Sequence, residues 1–140
     1  MSSTTSINGV VYTIITGTGS FALQHWTGAG SPTNFMISGF SSVVNYALHD
    51  QTTITNVHIG NTVTSIGNYA FDGTINLISV SFESNSQLTI IDDRAFNGTT
   101  SLNSITFGAN SLLTSIGHFA FYQATSLTSI AIPDLVTSIG

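Results

Sequence analysis

The run Ser-Ile-Gly-Asn-Tyr-Ala-Phe at 65–71 returns along the chain at a fixed interval. Ile-Ile-Asp-Asp-Arg-Ala-Phe follows at 90–96, Ser-Ile-Gly-His-Phe-Ala-Phe at 115–121, and Ser-Ile-Gly at 138–140. Phe71, Phe96 and Phe121 stand 25 residues apart, and so do Leu77, Leu102 and Leu127. A period of this length commits a chain to a stacked solenoid, because so small a unit buries its apolar face only against its neighbours. The outcome is an extended surface for recognition or building, not the walls of an enzyme pocket.

Each unit opens on an apolar pattern: Ile54-x-x-Val57-x-Ile59, Leu77-x-x-Val80-x-Phe82, Leu102-x-x-Ile105-x-Phe107 and Leu127-x-x-Ile130-x-Ile132. The alternation within each is that of a strand with one face buried. A second apolar pair follows (Val63 and Ile66, Leu88 and Ile91, Leu113 and Ile116, Val136 and Ile139), and Ala-Phe closes the unit. The expected core is therefore a repeated stripe: Val57, Ile59, Val63, Ile66, Phe71; Val80, Phe82, Leu88, Ile91, Phe96; Ile105, Phe107, Leu113, Ile116, Phe121. Ile59 to Val63 and Ile132 to Val136 span four residues, whereas Phe82 to Leu88 and Phe107 to Leu113 span six. The two extra residues, around Asn85-Ser86 and Asn110-Ser111, are expected in surface turns.

A worn copy lies upstream. Asn45-Tyr46-Ala47-Leu48 matches Asn68-Tyr69-Ala70-Phe71 at an offset of 23, and Phe35 and Ile37 take the strand positions after a slip of one residue. The solenoid is thus expected over 32–140, as about four and a half repeats, the last incomplete. Residues 1–31 do not fit the repeat and are expected to form a β cap over the first coil. The simplest arrangement is a hairpin of Val10–Ile15 with Ser20–Trp26 around the turn Gly17-Thr18-Gly19. Trp26 and Phe21 are its expected apolar plugs, although an exposed Trp26 would be a stacking surface for carbohydrate.

Charge is the compositional anomaly. Only 5% of the 140 residues are charged, against about 25% in ordinary soluble proteins, and the net charge is −5. Arg94 is the one basic residue, facing Asp50, Asp72, Glu83, Asp92, Asp93 and Asp134. Phosphate-backbone neutralisation and attraction to anionic lipid both need several cations, so nucleic acid and membrane surfaces are excluded as partners. No apolar run approaches the ~20 residues of a membrane span, so membrane insertion is not expected. With no cysteine there is neither a disulfide frame nor a thiolate metal site. The N-terminus lacks the basic and apolar stretches of a secretory signal.

Chemistry-bearing constellations are missing. His25, His49, His58 and His118 form no i, i+4 pair, so metal spacing is absent. His58 alternates with Val57 and Ile59 and is expected to face outward, as an ordinary surface histidine. Asp92-Asp93-Arg94 reads as a solvated convex turn with a local ion pair rather than a cation site. No nucleophile elbow or phosphate loop occurs, and no catalytic, metal or cofactor-binding residue is assigned. Asn97-Gly98-Thr99 is a glycosylation sequon, meaningful if a eukaryotic secretory pathway handles the chain.

The units Ile130-Ala131-Ile132-Pro133 with Val136-Thr137-Ser138-Ile139-Gly140, and Thr64-Ser65-Ile66-Gly67-Asn68-Tyr69-Ala70-Phe71, resemble the BspA-type (treponemal-type) leucine-rich repeat over roughly residues 32–140. The cysteine usual shortly after Ala-Phe is replaced here by Gly73, Gly98 or Gln123-Ala124. The resemblance implies a curved, mainly β solenoid with a parallel sheet on one side, often on microbial cell-surface and adhesion proteins, with related arrays in protists and large viruses. The candidate binding face is the outward row of that sheet: Asn56, His58, Ser79, Ser81, Ser104, Thr106 and Ser129, a polar and nearly uncharged strip suited to a glycan or a protein edge.

Two functions compete. One is a non-catalytic module for protein or glycan binding at a cell or particle surface; the other is a structural subunit or decoration of a virion, fibre or surface layer. An extracellular, cell-surface or virion location is expected. Because the core pattern runs on to Ile139, the C-terminal edge is expected either to continue or to dock on another subunit.

Overall fold

The computed structural model describes residues 3–7, 9–21 and 33–140; Trp26 and His25, and the N-terminal strand expected to run to Trp26 beyond Phe21, lie outside them. Among the described residues every regular element is a strand. The order is β1 (Ser3–Ile7), β2 (Val10–Thr16), β3 (Ser20–Phe21), β4 (Asn34–Ser38), β5 (Ser42–Val43), β6 (Asn56–Ile59), β7 (Ser65–Ile66), β8 (Ser79–Phe82), β9 (Ile90–Ile91), β10 (Ser104–Thr106), β11 (Ser115–Ile116) and β12 (Ser138–Ile139). They form two six-stranded sheets. Sheet A runs β1-β2-β4-β6-β8-β10 and sheet B runs β3-β5-β7-β9-β11-β12. Each coil but the last contributes one strand to each sheet, and every pairing is parallel except β1 with β2.

The registers reproduce the repeat. Val57 pairs with Val80 and Val80 with Ile105 in sheet A; Ile66 pairs with Ile91 and Ile91 with Ile116 in sheet B. The one-residue slip upstream is also present: Asn34 pairs with Asn56, an offset of 22, while Ser42 pairs with Ser65, an offset of 23. The two-residue insertions sit at the corner from sheet A to sheet B, where Asn85 and Asn110 adopt φ of 58°. Their turns are exposed at Asn85 and Asn110, but Ser86 is buried beneath the first.

The core lies between the sheets. Every residue of the expected stripe is buried except Phe107 and Phe121, which are partly buried and pack against the rest. Phenylalanines stack from coil to coil: Phe71 on Phe96 at 4.8 Å, Phe96 on Phe121 at 5.3 Å and Phe82 on Phe107 at 5.3 Å, all nearly parallel. Each such burial contributes about 1.5–3 kcal/mol. The Ser-Ile-Gly motif has a steric reason, since a Cβ on Gly67 would fall 2.6 Å from the Asn45 backbone nitrogen of the coil before.

The N-terminal segment departs from expectation in its wiring. The antiparallel hairpin that caps sheet A joins β1 to β2, not Val10–Ile15 to Ser20–Trp26. Gly9, at φ 83°, provides the tight turn. The Gly17-Thr18-Gly19 segment is a corner: the Gly17 N–H bonds Ser38 O and Gly19 O accepts from Ser41, which carries the chain across to sheet B. β2 and β3 therefore run parallel to β4 and β5. Phe21 is buried as a plug, edge-on to Phe40 at 5.2 Å. At the other end, the strand expected over Ile130–Ile132 is absent and sheet A stops at β10. Pro133 brings no N–H to that segment. The last coil is also two residues shorter at its corner than the one before, leaving a cleft of about 560 Å³ between Asn110–Leu112 and Ile132–Leu135.

Candidate functional site

The candidate row lies on the outer face of sheet A, because its members alternate with the buried Val57, Ile59, Val80, Phe82 and Ile105. The structure brings six of the seven residues together on β6, β8 and β10, in register: Asn56 beside Ser79 beside Ser104, and His58 beside Ser81 beside Thr106. Ser129 is exposed and belongs to no strand.

Exposure grades along the row. Ser104 and Thr106 are exposed, Ser79 and Ser81 half-buried, and Asn56 is drawn into an internal chain. The Asn56 amide donates to Asn34 Oδ1 at 2.7 Å, and Ser79 Oγ donates to Asn56 Oδ1. Asn34 Oδ1 also accepts from Thr55 Oγ1 at 2.9 Å. This network joins Asn34, Thr55, Asn56 and Ser79 across three coils and orients their side chains.

His58 does not face solvent, contrary to the alternation in its strand. It is only 8% exposed. Tyr12, from the hairpin cap, lies with its ring centroid 6.0 Å away and is itself buried, and Ser81 Oγ meets His58 Nδ1 at 2.8 Å. Burial lowers the His58 pKa from its ordinary value, and the Glu83 carboxylate partly opposes this. Burial likewise raises the Tyr12 pKa, eased by a hydrogen bond with Ser81. Hydroxyl, imidazole and phenol thus close the N-terminal end of the face. Within the serine–histidine pair the imidazole is the covered partner, and the Ser81 side remains half-buried.

Sequence reasoning missed a second exposed feature on the turn after sheet B. Reading the position before Ala-Phe down the repeats gives Tyr46, Tyr69, Arg94 and Phe119, and that column is the signal that finds it. Tyr46 stacks on Tyr69 at 5.1 Å with planes 5° apart. The Arg94 guanidinium lies 5.6 Å from the Tyr69 ring centre and 5.3 Å from that of Phe119. The expected ion pair of Arg94 with Asp92 or Asp93 is not formed. Asp93 instead accepts the His118 N–H at 2.7 Å. Asp92 is half-buried, and burial followed by the neighbouring Asp93 charge raises its pKa.

His49 bridges two carboxylates at 3.2 Å each, Asp50 through Nδ1 and Asp72 through Nε2. No cluster among the described residues has the makings of a metal site. The sequon is spent on the fold: the Asn97 amide donates to Asp72 Oδ1 at 2.6 Å, and the buried Thr99 hydroxyl donates to Phe96 O at 2.7 Å.

A family model for the BspA type leucine rich repeat region matches residues 32–140 in six copies. No curated protein matches the chain. Among solved structures, the T. pallidum leucine rich repeat protein TpLRR superposes with a TM-score of 0.65 at 25% identity, covering 99% of this chain and 61% of its own. A leucine-rich repeat protein from Eubacterium ventriosum gives a TM-score of 0.53 at 21% identity, covering 97% of this chain and 48% of its own. The chain therefore spans about three fifths and about half the lengths of these two proteins. Among the described residues no helix is long and apolar enough to cross a membrane.

Proposed function

Since the chain belongs to the BspA-type leucine-rich repeat family, we propose that it is a non-catalytic binding module, taking a protein or glycan partner at a cell or particle surface through the outer face of sheet A. The observation that carries this reading is the strip of hydroxyls at Ser79, Ser81, Ser104 and Thr106, in register and without a formal charge. Such a strip offers donors and acceptors at the strand spacing of about 4.8 Å, which suits the repeated hydroxyls of a glycan or the edge of a partner sheet. Charged partners gain nothing from it. The half-buried Asn56 and the buried His58 flank the strip and bond Ser79 and Ser81 rather than the partner.

The test is a binding screen of the chain against arrayed glycans and surface proteins. It is repeated with Ser104→Glu/Thr106→Glu, two exposed positions where the change leaves the core intact. The expected result is that captured partners lose at least about tenfold in affinity for the variant. Retention of full affinity by every partner would remove the strip from the interface.

A further inference from the structure

We propose that the column Tyr69–Arg94–Phe119 is a second binding site, for a sugar that carries one carboxylate. It lies on the turn after sheet B, and its argument and its test are independent of the sheet A face.

The site is built into the backbone. Tyr46, Tyr69, Arg94 and Phe119 all adopt left-handed φ between 54° and 58°. Large side chains rarely do so, and the cost is met because the N–H groups bond the next coil: Tyr46 to Asn68 O, Tyr69 to Asp93 O and Arg94 to His118 O, at 2.9–3.1 Å. The ladder bonds set the directions of the side chains. Arg94 consequently lies between two rings, its guanidinium carbon 5.6 Å from the Tyr69 ring centre and 5.3 Å from that of Phe119, and its Nη1 donates to Tyr69 Oη at 3.1 Å.

A guanidinium beside aromatic rings is attracted to them and donates in its own plane, and here one of its donors is directed at Tyr69 Oη. Arginine has five N–H donors in a fixed fork, and the planar acceptor that fits the fork is a carboxylate taken through two parallel bonds. Arg94 is exposed, and no carboxylate of the described residues lies within ion-pair distance of it, although two stand next to it in sequence. The one Arg or Lys side chain of the protein is thus oriented by Tyr69 Oη and unspent on an ion pair.

Charge and surroundings choose the rest of the ligand. One cation in a chain of net charge −5 satisfies one carboxylate and repels a dense polyanion. Asp93, exposed beside the site, reinforces that discrimination. Beside the guanidinium lie the Tyr69 hydroxyl and the exposed Phe119 ring, which in turn meets the exposed Tyr122 ring edge to face at 5.7 Å. A hydroxyl next to aromatic edges matches a pyranose, which alternates polar groups with apolar C–H faces.

Magnetic-resonance titration of the isotope-labelled chain tests this with three probes: the methyl glycoside of glucuronic acid, its methyl ester, and acetate. The acid glycoside should move the Arg94 side-chain N–H and Tyr69 signals, with the ester and acetate each at least about tenfold weaker. Arg94→Lys keeps the charge and loses the planar fork, so it should also bind about tenfold more weakly while melting like the parent. Tyr69→Phe, which keeps the stack and removes the hydroxyl, should weaken the acid glycoside and leave acetate unchanged. The proposal is overturned if the acid glycoside moves nothing at about 10 mM, or if the ester binds as well as the acid. Acetate binding as tightly as the sugar (a bare carboxylate contact) overturns it too, as does full binding by Arg94→Lys.

Discussion

Phe96 touches the fold at its most repetitive point, between Phe71 below and Phe121 above. Its truncation removes both stacks and leaves a cavity that a coil tied to its neighbours cannot close. Phe96→Ala should cost about 3–5 kcal/mol in denaturant unfolding, and a loss under about 1 kcal/mol would place this ring outside the core. His58 is the residue at which strand alternation misled. Its strand neighbours fix which side of sheet A it occupies, but nothing local tells that Tyr12 of the cap lies over that side. The consequence is a pH dependence. Burial sets the His58 pKa below its unfolded value, so the unfolded chain binds more protons. Its contribution to stability is present above the ordinary histidine value of about 6.5 and is lost as pH falls through that value toward the folded pKa. Urea unfolding between about pH 7.5 and pH 5 should show the parent losing more stability than His58→Asn, which does not titrate; equal losses would contradict the buried placement.

The elements of this molecule are short, several of them strands of two residues, and they persist because each is one rung of a ladder. Apolar positions and the 23–25-residue spacing are enough to read sheet A, the inward pair of sheet B and the corners that carry the insertions. Two parts were not legible. The partner of β2 depends on which way the chain leaves Gly19, and a glycine-rich turn is compatible with either a hairpin or a corner. The missing strand at Ile130–Ile132 has the same apolar pattern as its counterparts, and differs from all of them in the proline that follows. The inserted corners give a test at this scale. Asn110 holds φ of 58° and donates through Nδ2 to Asn85 Oδ1 at 2.9 Å. Asn110→Ala should cost about 1–2 kcal/mol, and Asn110→Gly, which enters the left-handed region freely, should cost less. Equal costs for the two would mean that the side-chain bond, and not the backbone, sets the residue at this corner.

At the scale of the whole molecule, a solenoid divides its labour between an invariant interior and a surface on which any residue can be placed. The outer row was legible because it is what remains of each strand when the buried positions are removed. Its gradation from the locked Asn56 to the open Thr106 was not, since it arises from Asn34 and Tyr12, which sit outside the clear repeats. The aromatic column was available to anyone reading the variable position down the coils, but only the geometry reveals that Arg94 lies between two rings instead of pairing with Asp92 or Asp93. The outer face of sheet A is proposed to recognise its partner through uncharged groups. The direct measurement is the affinity of a captured glycan or protein for the Arg94→Gln chain, in which the lone guanidinium is gone, as ionic strength rises from about 0.01 M to about 1 M and the Debye length shrinks from about 30 Å to about 3 Å. The predicted result is an affinity unchanged within about twofold, and a loss of about tenfold would contradict it.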